Sequence, residues 1–462
     1  MLIYYKNEHM LFEKPSFLRF LPNWESAFYT GILSATLLTG CVPVESTGSG
    51  SSGVSGSSAS ATLRYEDAIY APDVKSVQLY TQSYNAADVL APAVVSLAQS
   101  SPLILEFDRL NATGSRVEVK IHHCDVNWQP SQLASLQYLQ DFNEFFIRDM
   151  NASTATKVPY WHYRFQVPPV KISGNYLLEV SQEGGGLLLS RRFVVYEELV
   201  NVGLRPTATP GAGDRLERQQ LDFNIFFAQY PLVNPSQEVK VVMRQNHRWD
   251  NAKQFNRPTF VHEAQRRLEY QLFDVDQAFL GLSEFRALDT RSERFSGVGV
   301  ERRDITTSPD KVYAQTGKSR ARDAYSTQPD ANGKFLYGSR EYGNAPLNAD
   351  YQHVIFQLHS PEPAPGPVYV FGGLSDWQLQ EQFKLIYDDQ KQLYTGSALL
   401  KQGYYNYYFA VKGANGQADA KYFEGSHFAT ENVYDVLVYY RPPGTRTDLI
   451  IGYATVQVNP QR

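Results

Sequence analysis

The stretch Val117-Glu118-Val119-Lys120-Ile121 alternates apolar and charged side chains without a break. Successive side chains of a β-strand point to opposite faces, so this pattern predicts a strand with one buried and one wetted face. Further strand-like stretches lie on both sides of it, at 103–107, 174–180, 192–196, 221–227, 239–243, 354–358, 367–371, 404–411 and 434–440. Turn residues separate them, and this spacing favours antiparallel sheets packed as sandwiches.

The composition agrees with this prediction. The 462 residues include 31 Tyr, 26 Phe and 5 Trp, and aromatic side chains suit the pleated surface of a sheet. At roughly 150 residues per domain, the length predicts two or three domains. The 43 Lys and Arg do not outnumber the 48 Asp and Glu. This balance excludes a nucleic-acid binder of the usual basic kind.

We therefore predict an all-β, multidomain chain of antiparallel β-sandwiches, immunoglobulin-like or E-set-like, with one short helical insertion. The insertion is expected at 131–150, because apolar residues recur there at helical spacing and Ser131 could cap the helix. These residues are Leu133, Leu136, Leu139 and Phe142. The predicted domains are an N-terminal sandwich at 62–198, a middle β domain at 199–348 and a C-terminal sandwich at 349–462.

The first 61 residues have the pattern of an export segment. Residues 1–40 are predicted to be a signal peptide that starts at Met1 or Met10, because the apolar run at 27–39 is too short to span a bilayer. The run ends in Leu38-Thr39-Gly40-Cys41, which resembles a bacterial lipobox. We expect a lipid on Cys41 and a flexible Ser/Gly-rich tether at 41–61; the alternative is a signal peptide cut nearby without lipidation. The folded body would then lie in the periplasm or at the cell surface.

Motifs for catalysis and metal binding are weak. The sequence has no phosphate loop, dinucleotide fingerprint, His-Glu-x-x-His or Gly-x-Ser-x-Gly. The run from His122 to Asp125 places only two metal ligands on each face of a strand, so Cys124 is interpreted as a structural thiol. The Asn332-Gly333 pair indicates a hairpin turn rather than a calcium loop. The arginine-rich stretch at 286–322 is interleaved with acids, and we expect it to form a solvated face.

Taken in order, several short motifs resemble the plug protein of the type IX secretion system of Gram-negative bacteria, over nearly everything from residue 63 to 452. They are Tyr65-Glu66-Asp67, His123-Cys124-Asp125 with Trp128 and Ser131, Ser173-Gly174-Asn175-Tyr176, Arg191-Arg192-Phe193-Val194, Gln245-Asn246 with Arg248-Trp249-Asp250, Glu284-Phe285-Arg286, Asp350-Tyr351, 400–407, Glu424-Gly425-Ser426 and Thr430-Glu431-Asn432. The resemblance implies a non-enzymatic plug that seals the periplasmic end of a large outer-membrane β-barrel translocon when no substrate is in transit. It implies no cofactor, no metal, no nucleic acid and no small-molecule substrate.

A narrower resemblance covers only the last third of the chain. Residues 368–377 look like a strand and loop of glycogen- and starch-binding β-sandwich modules, in which a Trp at the place of Trp377 stacks on sugar. Tyr422 or Phe423 is the nearest replacement for a second stacking ring, and Asn432 lies in the matching last strand. Trp377, Tyr422 and Asn432 are therefore candidate contacts for a glycan or a protein partner. The alternative function is an envelope glycan-binding lipoprotein; an esterase or glycosidase with scattered residues is a third possibility.

Overall fold

Strands dominate the computed structural model, which describes residues 61–460 except for 84, 86, 87, 99, 100, 111, 112 and 212. The predicted signal peptide, Cys41 and residues 42–60 of the predicted tether lie outside the described residues. Within the described part of the chain, no helix combines the length and the hydropathy that crossing a bilayer requires. The all-β fold prediction is confirmed, since the strands form several antiparallel sheets with only single-turn helices between them.

The first sandwich is built from ten strands and one helical turn. They are β1 (Ala68–Ile69), β2 (Val74–Thr81), β3 (Val94–Ser96), β4 (Leu103–Leu110), β5 (Val117–Cys124), α1 (Ser135–Tyr138), β6 (Phe145–Phe146), β7 (Asp149–Ala152), β8 (Tyr160–Gln166), β9 (Gly174–Gln182) and β10 (Leu187–Tyr196), with a 3-10 turn at Asp88–Leu90. One sheet has the order β1-β10-β9-β5-β6, with β3 added parallel to β10, and the other has the order β2-β4-β8-β7. Val117, Val119 and Ile121 of β5 are buried in the core between the sheets, as their alternation predicts.

The helix predicted at 131–150 is wrong beyond the single turn α1. Its apolar residues do not share a face, because Leu139 is buried in the core while Phe142 is 81% exposed. The segment instead continues into the short strands β6 and β7. Asn143 holds it against β5 by accepting from the Ile121 backbone N–H at 2.7 Å and donating to the Ile121 carbonyl at 2.8 Å. Pairing with the exposed edge of β5 therefore replaces the helical hydrogen bonds.

The second sandwich begins with seven strands. They are β11 (Asn201–Thr207), β12 (Arg218–Phe226), β13 (Val239–Gln245), β14 (Lys253–Phe255), β15 (Phe260–His262), β16 (Arg267–Tyr270) and β17 (Phe279–Leu280), with α2 (Asp214–Glu217), α3 (Pro235–Glu238) and 3-10 turns at Glu263–Gln265 and Val275–Gln277. One of its sheets has the order β11-β12-β16-β15, with β17 paired to β12.

The third sandwich is a single curved sheet. Its strands are β18 (Arg286–Asp289), β19 (Val300–Asp304), β20 (Asp310–Ala314), β21 (Gly317–Lys318), β22 (Phe335–Tyr337), β23 (Tyr351–His359), β24 (Val368–Phe371), β25 (Lys384–Asp388), β26 (Leu393–Lys401), β27 (Gly403–Lys412) and β28 (Ala418–Asp419), with α4 (Ala345–Asn348), α5 (Lys421–Glu424) and 3-10 turns at Gly373–Ser375 and Glu381–Phe383. The main order is β18-β27-β24-β25-β26-β23-β20-β19. Buried residues of strands along this whole order form one core, so the sheet folds over on itself.

The last two strands, β29 (Asn432–Tyr440) and β30 (Leu449–Val458), return to the second sandwich. They complete its other sheet in the order β14-β13-β29-β30, and β13 pairs with β29 from Val239 opposite Tyr440 to Gln245 opposite Tyr434. Tyr434 and Val436 share one core with residues of β12 and β13. The sequence predicted a domain boundary between residues 348 and 349. The strand pairing departs from it, because the third sandwich, β18 to β28, is inserted between β17 and β29 of the second sandwich.

Candidate functional site at the junction of the three sandwiches

Motifs that lie far apart in the sequence meet where the three sandwiches contact one another. The first sandwich contributes Trp128 and Arg192, the second contributes Arg244 and Trp249 from the end of β13 and the loop after it, and the third contributes Trp377 from the loop after β24. A cavity of about 380 Å³ opens between them. We name it the junction cavity; its lining includes Arg192, Arg244, His247, Arg248, Lys334 and Trp377.

Arginine and tryptophan side chains alternate across the boundary of the first two sandwiches. The rings of Trp128 and Trp249 meet edge to face, with centroids 4.9 Å apart. The Arg192 guanidinium lies 5.2 Å and 5.3 Å from these two centroids, and Arg244 lies 4.2 Å from that of Trp249. Each such cation–π contact is worth about 0.5–2 kcal/mol, the larger values applying where water is excluded. This stack of arginine and tryptophan side chains therefore joins the first sandwich to the second.

Each arginine of the stack is also neutralised by an aspartate. Arg192 binds Asp67 at 2.8 Å, and Arg244 binds the buried Asp435 through two guanidinium nitrogens, with Nε–Oδ1 at 3.1 Å. Burial disfavours the charged Asp435 carboxylate, but Arg244 and His247 outweigh burial and hold its pKa well below its usual range. Two-point contacts of this kind fix orientation as well as charge.

The third sandwich is held to this assembly through the loop that carries Trp377. Asp376 accepts from Arg191 of β10 at 3.0 Å and 3.2 Å, and the Arg248 guanidinium lies 4.0 Å from the Trp377 ring centroid. The Trp377 ring also packs edge to face against Phe371, with centroids 5.5 Å apart. A Cβ placed on Gly333, which has φ +79°, would lie only 2.2 Å from this ring. Trp377 is thus wedged at the junction.

The three candidate contact residues do not form one platform. Asn432 is 2% exposed, and its side chain is consumed by bonds to Gln219 at 3.1 Å, Gly281 at 3.0 Å and Asn246 at 2.8 Å. Tyr422 is 42% exposed on α5, where it packs edge to face on Phe423. Among the residues that line the junction cavity, only Trp377 of the three is present.

Cys124 lies at the boundary between the first and second sandwiches. It is buried in a cluster with Leu177 and Val194 of the first sandwich and Leu437 and Ile450 of the second. Burial raises the pKa of the thiol to about 12, so little thiolate is available for nucleophilic attack or metal binding. Burial also lowers the pKa of the neighbouring His123 imidazole to about 4, which leaves the ring neutral. Cys124 therefore contributes to the packing between the first and second sandwiches.

The arginine-rich stretch at 286–322 is not the uniform solvated face that was expected. Arg286 and Arg320 bind the buried carboxylate of Glu424, at 2.9 Å and 2.6 Å. Burial raises the energy of that carboxylate, but the two arginines outweigh burial and lower its pKa.

Asn332 and Gly333 form the predicted turn, and both have positive φ. The strand β22 follows this turn, but among the described residues no strand before the turn pairs with β22 to make a hairpin.

Sequence reasoning missed a second polar cluster, between the first and third sandwiches. Asp108 of β4 accepts from Lys401 Nζ at 2.7 Å, from Tyr351 Oη at 2.7 Å and from His162 Nδ1 at 2.8 Å. The side chains of both Asp108 and Lys401 are only 1% exposed. Burial lowers the pKa of Lys401, and Asp108 offsets only part of that effect. The available signal was Glu106 and Asp108 at alternating positions of β4, a strand whose other residues are apolar except for Arg109.

Comparisons with known proteins agree with this architecture. The family model described as the type 9 secretion system plug protein 1st domain matches residues 74–197, which run from β2 to just beyond β10. A crystal structure of a hypothetical protein from Parabacteroides merdae superposes with a TM-score of 0.80 at 26% identity, covering 86% of this chain and 100% of that one. No curated protein matches the chain. The family model confirms the resemblance seen in the motifs: residues 74–197 are similar to the first domain of the type 9 secretion system plug protein.

Proposed function

We propose that the protein is a non-enzymatic plug that seals the periplasmic end of the type 9 outer-membrane β-barrel translocon while no substrate is in transit. The observation that carries the proposal is the family match over the first sandwich. The motifs that carry the resemblance continue through the second and third sandwiches, so we extend the role to the whole folded body.

The contacts between the sandwiches suit a stopper. A protein that closes a wide pore must keep its domains in one arrangement while solutes and secreted chains collide with it. Here the first sandwich is bonded to the third through Arg191–Asp376 and Lys401–Asp108, and to the second through Tyr439, whose hydroxyl donates to Asn175 at 2.9 Å. Buried polar contacts specify one arrangement, because a slipped arrangement would leave charges without partners.

We further propose that the plug acts on the periplasmic side of the outer membrane, retained there by a lipid on Cys41. The Ser/Gly-rich composition of 42–61 supports a flexible tether, which at about 20 residues would have a root-mean-square end-to-end distance of roughly 25 Å. Such a reach keeps an undocked plug at the surface of the membrane that contains the pore, and this raises its local concentration for re-docking.

Deletion of the gene tests the sealing role. Cells that make the translocon should become permeable to large hydrophilic solutes, whereas cells without the translocon should stay tight. Affinity purification from detergent extracts should recover an outer-membrane barrel with the tagged protein. Equal permeability with and without the translocon would refute the plug function.

The glycan-binding alternative gains no support from Trp377. Arg248 covers the ring at 4.0 Å, and Phe371 and Gly333 occupy other sides of it. A sugar ring needs an open aromatic face, and Asn432 is buried as well. We therefore expect the purified protein to pass unretarded through a starch or glycogen column.

A further inference from the structure

The junction cavity holds an excess of open hydrogen-bond donors. Arg192, Arg244 and Arg248 each use Nε and Nη2 on one aspartate. The Nη1 groups of these three arginines have no hydrogen-bond partner among the described residues, and none of the three nitrogen atoms is fully buried. Each guanidinium therefore keeps donor capacity that reaches accessible space.

Lys334 adds a further donor to the same space. Lys334 donates one hydrogen bond, to the Leu90 carbonyl at 2.5 Å, and forms no ion pair within the described part of the chain. An ammonium group carries three protons, so two remain. Burial lowers the pKa of Lys334 to about 8, as expected for a cation short of a counter-charge. The neighbouring His247 donates its Nδ1–H to Asp435 at 3.0 Å, and burial lowers the pKa of the imidazole, so the ring is neutral and its Nε2 is an acceptor rather than a donor.

The four aspartates around the cavity already accept from arginines. Asp435 and Asp250 each have both oxygens on one arginine. Asp67 has both on the backbone and side chain of Arg192, and Asp376 has both on Arg191. Glu66, whose Oε1 pairs with Arg64 at 3.0 Å, also lines the cavity, so the unused hydrogen-bonding capacity of the charged side chains there is mainly that of the three arginines and Lys334. A ligand rich in acceptors would complete the site.

The backbone adds an independent observation. Two pairs of consecutive residues adopt left-handed conformations, Asn246-His247 with φ 53° and 59°, and Asp376-Trp377 with φ 53° and 56°. All four line the cavity. Such conformations are unfavourable for residues other than glycine and gather at ligand sites, where they aim side chains. The two pairs belong to the second and third sandwiches, so left-handed turns from both sandwiches meet at the cavity.

We propose that the junction cavity binds an oxyanion, a carboxylate or phosphate group of a small ligand, through Lys334 and the open Nη1 groups of the three arginines. The donors come from all three sandwiches, so a bound oxyanion would bridge them and stabilise their arrangement. The site stands on its own geometry and does not depend on the plug function.

Thermal unfolding and isothermal titration calorimetry of the purified protein test the site, with phosphate and citrate as probes at ionic strength held constant with sodium chloride. We expect either anion to raise Tm beyond chloride alone. Binding of phosphate only assigns a phosphate ligand, binding of citrate only assigns a carboxylate ligand, and binding of both assigns a general oxyanion site. Failure of both to exceed chloride would overturn the proposal.

The variant Lys334→Met should keep the fold, because it replaces an unpaired buried charge with an apolar chain of similar length. Loss of one charge-assisted bond should weaken anion binding about 10- to 100-fold. The matched control Lys391→Met makes the same charge change at an exposed site and should bind as the wild type does. Lys334→Gln provides the same test if the methionine variant unfolds. Wild-type affinity in a folded Lys334 variant would contradict the proposal.

Discussion

The Asp108 cluster gives the sharpest test of how the first and third sandwiches are held together. We expect Lys401→Met to destabilise the protein by about 3 kcal/mol, at the lower end of the cost of breaking a buried ion pair. The lower end applies because Asp108 keeps two other donors, Tyr351 and His162, at 2.7 Å and 2.8 Å. The free energy of unfolding would be measured by guanidinium chloride denaturation, with tryptophan fluorescence and far-ultraviolet circular dichroism followed together.

A double-mutant cycle isolates the pair. The variant Asp108→Asn/Lys401→Met should lose less stability than the sum of the two single variants, because no buried charge is left without its partner. The control Lys391→Met breaks the exposed pair with Asp388 and should leave stability unchanged within error. If Lys401→Met costs no more than Lys391→Met, or if the cycle is additive, the Asp108 cluster does not join the sandwiches as argued.

Four further outcomes are expected. The pKa of Asp435 is lowered in the folded state, so this residue stabilises the fold above the pKa of the unfolded chain, about 3.9. That stabilisation is lost as the pH falls towards the lower pKa of the folded state. Asp435→Asn should therefore make the free energy of unfolding less dependent on pH in acid. Gly333→Ala should cost about 2–4 kcal/mol in denaturant titrations, because φ is +79° and the new Cβ would meet the Trp377 ring. Cys124 should react with a thiol reagent only after denaturation, and fast reaction of the native protein would contradict its burial. Cys41→Ser should move the protein from the membrane to the soluble fraction, and absence of label from a palmitate analogue in wild type would refute lipidation.

Local patterns predicted individual strands well and the contacts between strands poorly. The alternation from Val117 to Ile121 identified β5 and its buried face, because it depends only on near neighbours in the chain. The spacing of Leu133 to Phe142 was misleading, since the exposed edge of β5 offered hydrogen bonds that no local pattern reveals. The insertion of the third sandwich was equally hidden, because β29 could have paired with a sheet of either sandwich.

The candidate site shows the same limit. Trp377 was singled out for its likeness to a sugar-stacking residue, and the structure places it at a junction under Arg248. Its position depends on Arg248, on Gly333 and, through Asp376, on Arg191, none of which is close to it in the sequence. Lys401 was not singled out, because a lysine at a strand end is ordinarily solvated. Its burial arises only when Asp108 of another sandwich lies opposite.

The insertion of the third sandwich has a consequence for the biogenesis of the protein. Gln245 and Tyr434, which bond across the β13–β29 pair, are 189 positions apart. During synthesis the first sandwich can fold once its own strands have emerged, whereas β13 presents an unpaired apolar edge until almost the whole chain is available. Unpaired edges invite pairing with other chains, and distant pairings form slowly. A chain truncated before Asn432 should therefore aggregate or be degraded, and a chaperone that covers β13 would raise the yield of the intact protein.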